Sequence, residues 1–148
     1  MLPQPQSAQT VKVWDIWVRI THWAVSAGIF VNLIVTEGGS DVHEYIGYAV
    51  VALVVSRLLW GLVGSQYARF SNFFPTPTRI REHMTDIKQH KFHGHLGHNP
   101  LGALMMFALW GVIIALGVTG YLQTTDQFWG DDSIQTIHEF LANSLWVL

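Results

Sequence analysis

Hydrophobic positions in this chain come in long blocks separated by short polar stretches. The first block runs from about Trp14 to Val35 and is uncharged from Ile20 to Thr36. The second runs from about Val42 to Val63, broken only by Glu44 near its start and Arg57 near its end. The third is uncharged from Asn99 to Thr125, with Pro100 where a first helical residue is expected. Each can cross a hydrocarbon layer of about 30 Å, which takes about 20 helical residues. A fourth block opens near Ser133 and is still apolar at Leu148, and its sixteen residues fall short of a comfortable span. The pattern predicts an all-α, transmembrane four-helix bundle. Its helices are expected at about 14–36, 42–64, 99–123 and 133–148, the fourth truncated in this chain.

Between and before these blocks the chain is polar. Residues 1–10 are rich in Pro and Gln and read as a disordered N-terminal tail, without the basic and apolar regions of a cleavable signal peptide. That leaves 11–148 as one membrane domain. Its long connection, 65–98, is more than a turn. The spacing of Pro77, Ile80, Met84 and Ile87 suggests a short amphipathic helix at the membrane surface, a solvated loop being the other reading.

Composition agrees with the pattern. Charged residues make up 12% of the 148 positions, about half the roughly 25% of a soluble domain. The net charge of -2 argues against nucleic acid. There is no Cys, which excludes disulfides, iron–sulfur clusters and covalent c-type haem attachment. All eight basic residues fall on one side of the topology: Lys12 and Arg19, then Arg57, Arg69, Arg79, Arg81, Lys88 and Lys91. The connections at 36–42 and 123–133 contain only acidic charges. The positive-inside rule therefore places the N-terminus and the 65–98 connection in the cytoplasm.

Eight His in so apolar a chain need an explanation. Ionisable residues within a membrane are costly and point to function. His22 lies early in the first block, on the cytoplasmic side, whereas His43 and His138 open the second and fourth blocks and share the outer leaflet. Two His facing each other across a bundle can hold one haem iron from both sides. Gly47, one turn after His43, keeps that face clear for a flat macrocycle. His22 then lacks a partner. One is expected about four turns beyond His138, about fourteen residues and roughly 21 Å on, past Leu148. The stretch His90 to His98 could bind a divalent metal, but a solvated loop is the better reading.

Five segments together resemble the bacterial cytochrome b561 family, which includes the cytochrome b subunits of nickel–iron hydrogenases. They are RITHW (19–23), VHEYIG (42–47), SRLLWGLVG (56–64), GHNPLGA (97–103) and IHEFLAN (137–143). The resemblance covers about residues 12–148. It implies a four-helix, di-haem b, quinone-linked electron carrier of the bacterial inner membrane. It implies His22, His43 and His138 as axial ligands, the second ligand on helix four having no counterpart here. Near the cytoplasmic face, Arg19 and Arg57 could pair with haem propionates or snorkel to lipid phosphate. The expected function is electron transfer between membrane quinone and a periplasmic partner such as a soluble cytochrome c, with room for a homodimer. Alternatives are an anchor for a hydrogenase-like oxidoreductase, a superoxide:quinone oxidoreductase, and, from another class, a non-redox membrane scaffold.

Overall fold

The computed structural model describes residues 15–89 and 99–148. The expected tail at 1–10 and the His90, His93, His95 and His98 stretch lie outside the described residues. Within them all regular structure is helical, in six segments.

Helix α1 (Ile16–Ile34) starts where Asp15 accepts the Val18 N–H at 2.8 Å. Helix α2 (Asp41–Val63) starts at Ser40, with Asp41 and Glu44 in its first turn, where carboxylates suit the helix dipole. A short α3 (Phe70–Phe73) and an amphipathic α4 (Pro77–Lys88) occupy the long connection. Helix α5 (Pro100–Gln123) is capped by Asn99, whose side chain accepts the Gly102 N–H at 2.7 Å. Helix α6 (Asp132–Ser144) is capped by Asp131. Proline at the first helical position and these short polar caps stop each helix from extending backwards.

Helix α1 packs on α2, α2 on α5, and α5 on α6. The partners run antiparallel. Asp15 meets Trp60 and Asn32 meets His43, while Val51 lies over Gly117 and Arg57 beside Trp110. Val50, Val54 and Ile113 form the buried centre, surrounded by Val25, Ile29, Ile46, Leu58 and Leu145. Close approach of the backbones depends on two glycines. A Cβ on Gly28 would collide with Val50, and one on Gly117 with Val51, so small residues occupy these contacts as they do between membrane helices.

Two of the helices, α2 and α5, are long and apolar enough to cross a membrane, yet only 22% and 11% of their most apolar stretches are buried in the protein. A core helix of a soluble protein hides most of its length. Here Leu59, Leu62, Val63, Leu104 and Val118 face outward. The sequence predicted three full spans and a fourth, shortened one, and the described residues supply two of that quality. Arg19, His22 and Asn32 dilute the apolar character of α1, and α6 has 13 residues.

The connection folds back under one end of the helices. Phe70 sits over Gly61, and its ring meets Phe107 at 5.3 Å and Trp110 at 5.9 Å. Helix α3 was not anticipated from sequence, because four residues are too few to show a period.

Candidate functional site

His43 lies in the first turn of α2 and His138 in the second turn of α6. Both rings are half-buried, with centroids 6.3 Å apart and planes inclined at 63°. Neither helix packs on the other through a broad face. The pair forms because α2 and α6 both pack on α5.

Each ring is held on its Nδ1 side. His43 Nδ1 lies 3.1 Å from Thr36 Oγ1, and His138 Nδ1 lies 2.8 Å from Thr119 Oγ1. Asn32 Nδ2 donates to the His43 main-chain carbonyl at 2.9 Å. These three polar residues were not among the sequence candidates. Their only signal was a hydroxyl or amide inside an apolar block, which usually bonds its own helix.

The space around the pair fits a bound metallo-macrocycle. A metal–imidazole nitrogen bond is about 2 Å, and a ring nitrogen lies roughly 1 Å from its centroid, so two imidazoles on opposite sides of one metal stand about 6 Å apart. That agrees with the observed separation. Gly47 belongs to the same face, and a Cβ there would meet only Asn32 Nδ2 within 4 Å, at 3.6 Å. Protein packing thus does not demand a glycine at 47, in contrast to positions 28 and 117. On α5, a Cβ on Gly120 would come within 3.4 Å of His138 Cε1, so this glycine clears the imidazole. Among the described residues no group of three or more His, Asp or Glu converges to hold a metal ion without such a cofactor.

The other candidates stand apart from this pair. His22 is exposed on α1, its ring edge against Trp23 at 5.6 Å. It lies ten residues before Asn32, about 15 Å along the helix. Arg19 is exposed. Arg57 is 5% exposed, with both terminal nitrogens 3.4 Å from the Ala68 carbonyl and its charge 5.5 Å from the Trp110 ring centre. These are weak partners for a buried cation. Nearby, Asp15 accepts from Trp60 Nε1 at 2.9 Å and from Ser65 Oγ at 2.5 Å. Burial pushes the Asp15 carboxyl up. Hydrogen bonds from Ser65, Val18 and Trp60, with the charge of Arg57, outweigh it and hold the pKa below the ordinary 3.8.

Comparison with known proteins gives the family. Residues 13–148 match the family described as prokaryotic cytochrome b561. A probable Ni/Fe-hydrogenase B-type cytochrome subunit of Bradyrhizobium diazoefficiens is 26% identical, the match covering 76% of this chain and 57% of that protein. Its counterpart in Azotobacter vinelandii is 24% identical over 75% of this chain and 58% of its own length. This chain therefore spans less than three-fifths of the curated relatives it matches. No solved structure matches. With residues 13–148 matched, nearly its whole length, the chain belongs to the prokaryotic cytochrome b561 family.

Proposed function

We propose that His43 and His138 are the axial ligands of one haem b near the periplasmic face, in a four-helix bundle that exchanges electrons between membrane quinone and a periplasmic redox partner. The observation that carries this reading is the 6.3 Å separation of the two rings. Haem b, when bound, supplies a one-electron couple. Held by imidazoles from both His43 and His138, the group would serve electron transfer rather than oxygen chemistry. His22, about 15 Å along α1 from Asn32, belongs to a second, cytoplasmic-side haem. Arg57, buried with the Ala68 carbonyl, the Trp110 ring and the charge of Asp15 as its partners, suits a propionate of that inner haem.

The chain's own residues do the positioning. Asn32 on α1 and Thr36 in the turn after it fix His43, Thr119 and Gly120 fix His138 from α5, and Gly47 keeps the face beside His43 open. At this end Glu37, Asp41, Asp126, Asp131 and Asp132 present negative charge without a Lys or Arg. That suits a partner with a basic docking face. The positive-inside distribution supports the reading that this end lies outside the inner membrane.

The partner is better read as a subunit of a periplasmic oxidoreductase than as a free cytochrome c, because the curated relatives are B-type cytochrome subunits of Ni/Fe-hydrogenases. The test is haem content in the natural full-length protein. Extractable haem b with a six-coordinate low-spin spectrum is expected, and His43→Ala or His138→Ala should each remove about half of it. A colourless folded protein, or unchanged haem in both variants, would overturn the assignment.

A further inference from the structure

We infer that Thr36 and Thr119 set the tautomer of His43 and His138, holding the proton on Nδ1 so that Nε2 keeps its lone pair for a metal. The inference rests on the axial-ligand reading above and adds two positioning residues to it.

The argument is an account of protons. A threonine hydroxyl has one proton to donate and two lone pairs to accept with. Thr119 Oγ1 lies 2.9 Å from the Ala115 carbonyl and 3.2 Å from that of Leu116, and both groups only accept. The hydroxyl proton is committed to them. What Thr119 turns to His138 Nδ1, at 2.8 Å, is a lone pair, so this nitrogen must be the donor. In a neutral imidazole with Nδ1 protonated, Nε2 is the nitrogen with the free lone pair.

The same account closes at His43 by a different route. Thr36 Oγ1 lies 3.2 Å from the Asn32 carbonyl and 3.3 Å from Asn32 Oδ1. The Asn32 amide is oriented by its own bond, since Nδ2 donates to the His43 carbonyl. Its Oδ1 is therefore an acceptor facing Thr36, and the Thr36 proton goes to Asn32. Again the hydroxyl turns a lone pair to Nδ1. Back-bonding of Thr to its own helix is common and by itself means little. Two hydroxyls on different segments, Thr36 in the turn after α1 and Thr119 on α5, each placed at the Nδ1 of one member of the pair, are a different matter. An acceptor on the outer nitrogen of a ligating His fixes the ring and makes it a stronger donor to the metal.

The experiment compares Thr36→Val and Thr119→Val, which keep shape and lose the hydroxyl, with Thr36→Ser and Thr119→Ser, which restore it. All are made in the full-length haem-loaded protein. Each Val variant is expected to lose about tenfold in haem affinity. Each should also raise the midpoint potential of the periplasmic-side haem, because a weaker donor stabilises ferric iron less. A tenfold change in ferric preference reads as about 59 mV for one electron. The Ser variants should return both quantities towards wild type. Equal losses in Val and Ser variants, or no change in either, overturn the inference.

A direct reading needs no variant. In the reduced, diamagnetic wild-type protein with 15N-labelled His, the two axial rings should each show a protonated, hydrogen-bonded Nδ1. An unprotonated Nδ1 on either ring overturns the proposal. The His43→Ala and His138→Ala proteins separate the two levels. If they lose the haem while the Val variants behave as wild type, the ligand reading stands and the tautomer inference alone fails. If they keep it, both fail.

Discussion

Asn32, in the last turns of α1, donates its side-chain amide to the main-chain carbonyl of His43 across the α1–α2 interface at 2.9 Å. Helix α1 supplies no imidazole at this depth, yet it fixes the backbone from which one projects. Replacing Asn32 with Leu removes a hydrogen bond that typically contributes about 0.5–1.5 kcal/mol, roughly two- to tenfold in an equilibrium constant. The expected result is a loss of that size in haem affinity at the periplasmic-side site, read by competition with an apo haem-binding protein. Wild-type affinity in Asn32→Leu would show that His43 is held in place without it.

Two glycines of similar appearance should behave oppositely. Gly28→Val forces a side chain into Val50, and overpacking of this kind costs about 1–3 kcal/mol. Thermal unfolding in detergent should register it with or without haem. Gly47→Ala meets only Asn32 Nδ2 at ordinary contact distance. It should leave the haem-free protein near wild-type stability and weaken haem retention. Equal destabilisation of the haem-free protein by both changes would show that Gly47 serves packing.

Arg57 distinguishes a propionate partner from a structural role. A buried cation beside a haem disfavours the ferric state, so Arg57→Gln should lower the potential of the inner haem. The expected drop is about 59 mV, equivalent to a tenfold shift in a one-electron couple. Redox titration of the full-length protein measures it. An unchanged potential with lowered stability would leave Arg57 in a structural role only, with Ala68, Trp110 and the Asp15 carboxylate.

Asp15 predicts a pH dependence. Its carboxyl titrates below 3.8 in the folded protein. A depressed carboxylate contributes stability that is present above the unfolded value and lost as pH falls through the folded one. The wild type should lose stability relative to Asp15→Asn as pH drops below about 4, and the difference should be flat from pH 5 to 8. Because Asp15 is largely solvent-screened, the charge effect is small. Asp15→Ala, which also removes the α1 cap, should cost about 1 kcal/mol at neutral pH. Parallel pH curves for wild type and Asp15→Asn would contradict this role.

The sequence by itself determined the helical class, the long apolar blocks and the places of His43 and His138 near the starts of their helices. These are one-dimensional properties: hydrophobic runs of Val, Leu and Ile mark α2 and α5, and Ser40, Asn99 and Asp131 mark helix starts through local hydrogen bonds. Depth follows from counting residues along a helix, which is why His43 and His138 could be paired on paper. Rotation about each helix axis is not written in the runs. Almost every position in such a block is apolar, so the period that would show which face turns inward is washed out. Only packing decided that Arg57 is buried while Arg19 and His22 are exposed. Only packing brought Thr36, Thr119 and Asn32 to the imidazoles. Those contacts join residues up to 19 positions apart across helix interfaces. The interfaces are set by where Gly28 and Gly117 let two backbones close on each other, a matter of volume in three dimensions that no local pattern records.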